Sequence, residues 1–417
     1  MSKPKALGIH VFAGGFTLGL QKHMDVDTHL EVHDLGHKTA TQKLGLNVIR
    51  SEAKNWPSAK TFSDCILAAG NPRCTAFSCV TADQGRSMHG AFGAQTRDAI
   101  ELCEYAAGNF DFVVWESVQQ AYSVGKPLLD RLYTEFFKPK GYRLCHLFVN
   151  SASFGNVQNR RRYFFVAYRD CYKFNVQAPP MPKYKPALWD ALAPLMNEET
   201  IEQEKPTSEM TPNTSSHMLK DDKDLVDKLP NGWNLNTFGK FMYEHMSERY
   251  KFRWRNRNSE MPFGMHGIFR TSATRFAPTL HSGSRHHVHP VFNRCFTAAE
   301  FSAIMGWPSG LIPAGHDVVA QLAKGIVPAV GQWIAEQVIL SSNHHWGTDD
   351  WESQYDWRTN RWLGKSTVGQ EQKTFNLTEY YPHTQDWSRF PECILRPTVP
   401  VPDHIQIKGA LDNRILY

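Results

Sequence analysis

At 417 residues the chain is long enough for one large domain with appendages or for two domains, and 41% hydrophobic and 12% aromatic content fills a sizeable core. No apolar run reaches the roughly 18 residues of a membrane span, the opening Met1-Ser2-Lys3-Pro4-Lys5 has no signal-peptide core, and eight scattered cysteines form neither a disulfide framework nor a Cys-x-x-Cys pair. These features point to a reducing cytoplasm, and a net charge of +5 permits a polyanionic partner without requiring one.

In chain order, an apolar stretch at 7–12 reads as a strand, broken by Gly14-Gly15 and followed by a helical pattern over 16–23. Residues 29–32 form a second strand with Glu31 near its end. Further strands are expected at 65–69, 110–115, 144–149 and 162–168, with helical segments at 94–107 and 125–137 between them. Strands alternating with helices argue for an α/β fold on a mostly parallel sheet covered on both faces. Ligands of such sheets sit at the carboxyl ends of the strands, where Gly14, Glu31, Cys74 and Glu116 all fall. Beyond 171 a Pro-rich stretch leads into polar sequence with few clean periodicities through 258. Helices are then expected at 296–305, ahead of Gly306-Trp307-Pro308, and at 318–339, before a tryptophan-rich tail over 341–417 to which no role is assigned.

Two residues carry the chemistry. Cys74 lies on the turn Gly70-Asn71-Pro72-Arg73-Cys74 after one apolar strand, and Glu116 ends another. A thiolate can add to a poorly reactive pyrimidine carbon while an acid stabilises the ring nitrogen that gains charge. A lone cysteine is usually a packing residue and a strand-terminal Glu a solvated end, but their order, spacing and surroundings favour the chemical role. Basic residues gather at Arg160-Arg161-Arg162, over 249–257 and near 284–287. Arg interleaved with aromatics suits phosphate contact and base stacking, and equally a solvated helix with Arg stems packed on rings.

Over roughly 1–340 these residues resemble the cytosine-C5 DNA methyltransferase family. Phe12-Ala13-Gly14-Gly15-Phe16-Thr17-Leu18-Gly19 is similar to its cofactor motif, 70–78 to its nucleophile loop, and Glu116-Ser117-Val118 to its Glu-Asn-Val. Gln158-Asn159-Arg160-Arg161-Arg162 matches its Gln-x-Arg-x-Arg signature. Pro278-Thr279-Leu280, 296–300 and 306–308 resemble the segment organising target recognition, and 321–328 its closing motif. The resemblance implies a class I, Rossmann-like S-adenosylmethionine (SAM)-dependent methyltransferase sheet over 1–172, completed by 318–340. A target-recognition region would span 173–290, and 291–317 would return the chain. It implies double-stranded DNA as substrate, a cytosine flipped out of the helix, and no metal, membrane or obligate protein partner. Cys74 would attack C6, Glu116 would contact N3 and the exocyclic amine, Arg162 would hold O2 and Arg160 would brace the nucleophile loop. The alternative for the arginine triplet is phosphate binding alone. Nearby cations are expected to lower the Cys74 pKa. Phe12, Gly14, Gly15, Glu31 and, on the adenine side, Asp64 would hold the cofactor; Gln158, Arg253, Arg255 and Arg257 would meet DNA.

Four departures stand out. The glycine motif is two residues short, Arg73 stands beside the nucleophile, Ser117 replaces an Asn, and Lys324 takes the closing motif's Asn. A Lys near a positive sulfonium invites an intervening anion. Carboxy-S-adenosylmethionine would supply one and make carboxymethyl the transferred group, with Arg73 as a second partner for that carboxylate or as an activator of Cys74. Against both transfers stands a catalytically silent DNA-binding relative, and an RNA substrate is a further alternative.

Overall fold

The computed structural model describes residues 2–74, 77, 96–172, 174, 176, 186–196, 269–281, 287–292, 295–315 and 317–343, together with the backbone of 354–356, 361–363 and 372–376. Its strands are β1 (Lys5–Ile9), β2 (Thr28–Glu31), β3 (Asn47–Arg50), β4 (Cys65–Gly70), β5 (Phe112–Val118), β6 (Tyr142–Asn150), β7 (Arg161–Arg169), the short β8 (Phe269–Arg270) and β9 (His287–Val288), and β10 (Gln354–Asp356), β11 (Arg361–Leu363) and β12 (Gln372–Asn376). Its helices are α1 (Gly15–Leu20), α2 (Arg97–Ala106), α3 (Gln120–Ser123), α4 (Lys126–Leu132), α5 (Leu188–Leu192), α6 (Ala298–Ile304), α7 (Val318–Lys324) and α8 (Pro328–Ser342).

Eight strands form the main sheet in the order β12-β6-β7-β5-β4-β1-β2-β3. All run parallel except β7, which lies antiparallel between β5 and β6. This is the Rossmann-like α/β architecture expected from the strand–helix alternation. The central strands are continuous apolar runs because both their faces are covered. On β7, alternate residues serve opposite faces: Tyr163, Phe165 and Ala167 join a core with Leu102 and Cys103 of α2 and Leu128 and Leu129 of α4. Phe164, on the other face, meets Phe16 of α1 edge-on at 6.1 Å. There α1 packs closely on α8; a Cβ at Gly19 would land on the Pro328 carbonyl oxygen and 2.6 Å from the Gln332 nitrogen.

The chain divides into two compact units. One comprises 1–155, 160–182 and 325–391 and holds the main sheet; the other comprises 156–159, 183–324 and 392–417. In the second, Asn156 Nδ2 donates to the Ile304 carbonyl at 3.1 Å and the Ala277 N–H to the Val157 carbonyl at 2.8 Å. Buried Arg270 donates to the carbonyls of His289 and Phe292 at 3.0 and 3.2 Å.

Two expectations change. The helix expected over 318–339 is two, α7 and α8, because Pro328 lacks an N–H and pushes Val327 into extended backbone (ψ 126°). As one stretch Val318–Ser342 is long and apolar enough to cross a bilayer, but 78% of its most apolar window is buried in the protein, as in a core helix. The tail expected over 341–417 contributes β12, which pairs parallel with β6 from Gln372 opposite Leu144 to Asn376 opposite Phe148.

Candidate active site

Cys74 follows β4 on a turn closed by the Phe77 N–H donating to the Cys74 carbonyl at 2.9 Å. Its side chain is partly exposed. Next to β4 in the sheet, β5 carries buried Glu116. In the antiparallel β5–β7 register Val118 faces Arg162, so Arg162 and Glu116 are diagonal neighbours on one face. Arg162 Nε lies 2.6 Å from Glu116 Oε1 as an ion pair, without the alignment of a hydrogen bond. The other carboxylate oxygen, Oε2, accepts from Asn71 Nδ2 on the nucleophile turn. Arg160 is buried and donates to the Gly325 carbonyl at 2.9 Å. Thus Asn71 ties the turn to the acid, and Arg162 compensates the acid's charge.

The electrostatics differ from the expected lowered thiol. Burial and the Glu116 carboxylate raise the Cys74 pKa and outweigh the opposing pull of Arg162 and Arg160. Burial likewise raises Glu116, against Arg162, Arg160 and the hydrogen bond from Asn71. Burial also drives the Arg160 guanidinium well below its ordinary value, reinforced by the like charge of Arg162. Burial thus disfavours the charged form of both Cys74 and Glu116, with Arg162 and Arg160 opposing it.

At the neighbouring strand ends, Glu31 closes β2, almost fully buried. It accepts from the backbone N–H of Val32 at 2.9 Å, His33 at 3.0 Å and Phe12 at 3.2 Å, and lies 3.4 Å from His10 Nδ1. Burial alone would raise its pKa, but the hydrogen bond and charge of His10 and the His33 N–H hold it below the usual value. It is an ionised acceptor at a carboxyl end, suited to hydroxyl donors. Phe12 has φ +50° and its ring stacks on His33 at 5.8 Å. Gly14 turns the chain into α1 with φ +89°, a conformation natural to glycine. His10, Glu31 and His33, and separately His10, Asp98 and Glu101, hold donor atoms within 4.8 Å of one another. Glu31 and Asp98, however, are already matched by N–H donors of the protein.

Arg73 is matched by a carboxylate rather than left as a free cation beside Cys74. It forms a two-pronged pair with Asp98 in the first turn of α2, Nε to Oδ2 and Nη2 to Oδ1, both at 2.9 Å. The Arg73 backbone N–H also points to Asp98 Oδ2 at 3.3 Å, and His33 Nε2 lies 2.7 Å from the same oxygen. Burial opposes the Asp98 charge, but these partners hold its carboxyl well below the usual range.

Residues 12–340 match the C-5 cytosine-specific DNA methylase family. The chain belongs to that family. No curated protein matches it in sequence. Among solved structures, one similar chain is a prophage-encoded E. coli protein described as a DNA modification methyltransferase, with TM-score 0.52 and 14% identity over 82% of this chain and 99% of that one. The Entamoeba histolytica methyltransferase EhMeth gives TM-score 0.50 and 12% identity over 81% and 98%. At these identities the likeness is one of fold. Membership makes the protein a methyltransferase of the kind that modifies cytosine C5 in DNA with SAM as donor.

Within this methylase, Cys74, Glu116, Arg160 and Arg162 share one electrostatic cluster, and Phe12, Gly14, Gly15 and Glu31 share the adjoining strand ends. Asp64 belongs to neither. It precedes β4 at the amino edge of the sheet and is exposed, its carboxylate 2.6 Å from Lys5 Nζ, whereas ligands of parallel sheets sit at the carboxyl ends. Gln158 is fully buried, with Oε1 accepting from the Leu280 N–H at 2.8 Å and Nε2 3.2 Å from Met305 Sδ. It braces the 277–280 segment. Lys324 is an exposed residue of the last turn of α7. Arg253, Arg255 and Arg257 lie outside the described residues. Asn71, Asp98 and His33 are site residues that the motifs do not single out. A polar residue at the nucleophile turn was the one visible hint of Asn71; the partners of Asp98 are remote in sequence.

Proposed function

We propose that this protein transfers a methyl group from SAM to C5 of a cytosine flipped out of double-stranded DNA, with Cys74 as nucleophile. The observation that supports it is the assembly of the Cys74 turn, Asn71, Glu116, Arg160 and Arg162 at the carboxyl end of β4 and β5. The raised Glu116 pKa suits a carboxylic acid that gives its proton to N3 as the ring gains charge. Once its own proton has left to water, the Cys74 thiolate forms the S–C6 bond and the C5=C6 π pair moves to C5. SAM, when bound, would supply the electrophilic methyl carbon that this pair attacks, its sulfonium sulfur leaving with the S–CH3 pair as a neutral thioether, and Glu31 would accept its ribose hydroxyls. Loss of the C5 proton to a base then restores the double bond, expels the Cys74 thiolate and returns the N3 proton to Glu116. Arg162 would meet the base's O2 and Arg160 would hold the cluster in place. Carboxymethyl transfer from carboxy-SAM has weaker support: Arg73 is matched by Asp98, which leaves the donor carboxylate to exposed Lys324.

Duplexes of random sequence containing 5-fluorocytosine, incubated with SAM, test this. Fluorine at C5 cannot leave as a proton, so a working enzyme stays bonded through Cys74, and Cys74→Ala forms no adduct. Mass analysis of bases from ordinary duplexes then shows 5-methylcytosine; 5-carboxymethylcytosine from a carboxy-SAM mixture would reverse the donor assignment. Absence of any adduct from the wild type would mark a silent relative.

A further inference from the structure

We propose that Asp98 is the positioning residue of the nucleophile turn: it holds Arg73, and through the adjoining peptide Cys74, while His33 ties the same carboxylate to the Glu31 strand end. The catalytic part of this inference rests on the reading of Cys74 as nucleophile; the geometry does not. Asp98 is almost wholly buried, and its two oxygens receive both prongs of one guanidinium together with the Arg73 backbone N–H. A planar fork on a carboxylate fixes direction as well as distance, and the extra backbone contact fixes the Pro72–Arg73 peptide, one residue before Cys74. Asn71 holds the same turn from the other side through Glu116. The turn is thereby clamped at two points, one on the acid and one on α2.

The second arm of Asp98 runs toward the cofactor side. His33 Nε2 lies 2.7 Å from Asp98 Oδ2, and the His33 backbone N–H donates to Glu31 Oε1. The His33 ring also stacks on Phe12. One buried carboxylate thus links the strand end proposed for the ribose with the turn that carries the thiol.

The full-length protein and its Asp98→Asn, Asp98→Glu, Arg73→Ala and Asp98→Asn/Arg73→Ala variants are treated with iodoacetamide, and alkylation of each cysteine is followed by peptide mass spectrometry. Freed from its clamp, Cys74 should alkylate roughly tenfold faster in Asp98→Asn, while exposed Cys171 and fully buried Cys103 keep their wild-type rates. Asp98→Glu should recover part of the protection, and the double variant should match the singles because they break one interaction. In parallel, kcat for methyl transfer should fall with little change in KM for SAM, so the thiol becomes more reactive while turnover drops. Unchanged Cys74 alkylation in Asp98→Asn, additive effects in the double variant, or acceleration at Cys103 as large as at Cys74 would overturn the proposal. The alkylation readout needs no turnover, so a wild type that never traps fluorocytosine would sink the methyl-transfer reading and leave the clamp independently judged.

Discussion

His29 should make the fold acid-sensitive in a defined window. Its ring is buried on β2, with Nε2 2.7 Å from Thr17 Oγ1. It packs against the bare face of Gly8, where a Cβ would lie 2.7 Å from Nε2. Burial, only partly opposed by Glu31, lowers its pKa from 6.5 to about 4. The folded protein therefore holds His29 neutral at pH values where the unfolded chain protonates it. The resulting stability is complete above about pH 6.5 and is lost as pH falls toward 4. At ~1.4 kcal/mol per pH unit the full loss is roughly 3 kcal/mol, about 2 kcal/mol of it gone by pH 5. Asp98 and Glu31, whose pKa values are held low, lose their contributions only below about pH 4 and leave this window clear. Urea unfolding followed by tryptophan fluorescence at pH 7.5 and 5.0 measures the effect. His29→Gln keeps a polar group for Thr17 without titrating, so its stability should drop by about 2 kcal/mol less than wild type between the two pH values. Equal drops in both proteins would refute the assignment of a buried neutral imidazole.

Gly19→Ala should destabilise the protein by about 3 kcal/mol, because the added methyl meets the backbone of α8 at Pro328, Gln332 and Gly331, with no flexible side chain to move aside. Thermal denaturation would show it, and an unchanged midpoint would mean α1 and α8 part at little expense. Deleting residues 344–417 should uncover the β6 edge that β12 now pairs, leaving an open strand that recruits other chains. Light scattering should then report association, whereas a monodisperse truncated protein would show that the edge is protected by other means.

The sheet was legible where strands are buried on both faces: the apolar runs of β1, β4, β5, β6 and β7 announce themselves without homologous sequences. Strand β3 was not, since Asn47–Arg50 is short, polar at both ends and only partly buried. Strand β12 was hidden because a strand added to an edge by a distant tail is specified by backbone pairing, which leaves little trace in residue type. Cys74 and Glu116 were readable because each follows or ends an apolar strand, which is a local property; that Arg162 meets Glu116 follows from the β5–β7 register, which the sequence does not display. The clamp was not, because Arg73 finds Asp98 25 residues along the chain, and nothing local to either residue names the other. Long-range pairing also explains the thiol. A cation beside a cysteine in sequence suggests an activated thiolate, yet a cation already matched by a buried carboxylate adds little field, and burial then sets the pKa.

Asp64 and Glu31 show how much of such a site is polarity of the chain. Both are acids beside strands of the same parallel sheet. Glu31 ends β2, where His10 and backbone N–H groups gather and hold its pKa below the usual value against the effect of burial. Asp64 precedes β4 and pairs with a surface lysine at the opposite edge. The rule that ligands meet parallel strands at their carboxyl ends favours Glu31 over Asp64, although the family resemblance offers both. For an acid in an α/β chain, the side of the strand on which it falls is thus a stronger indicator of cofactor contact than its distance from a glycine-rich motif.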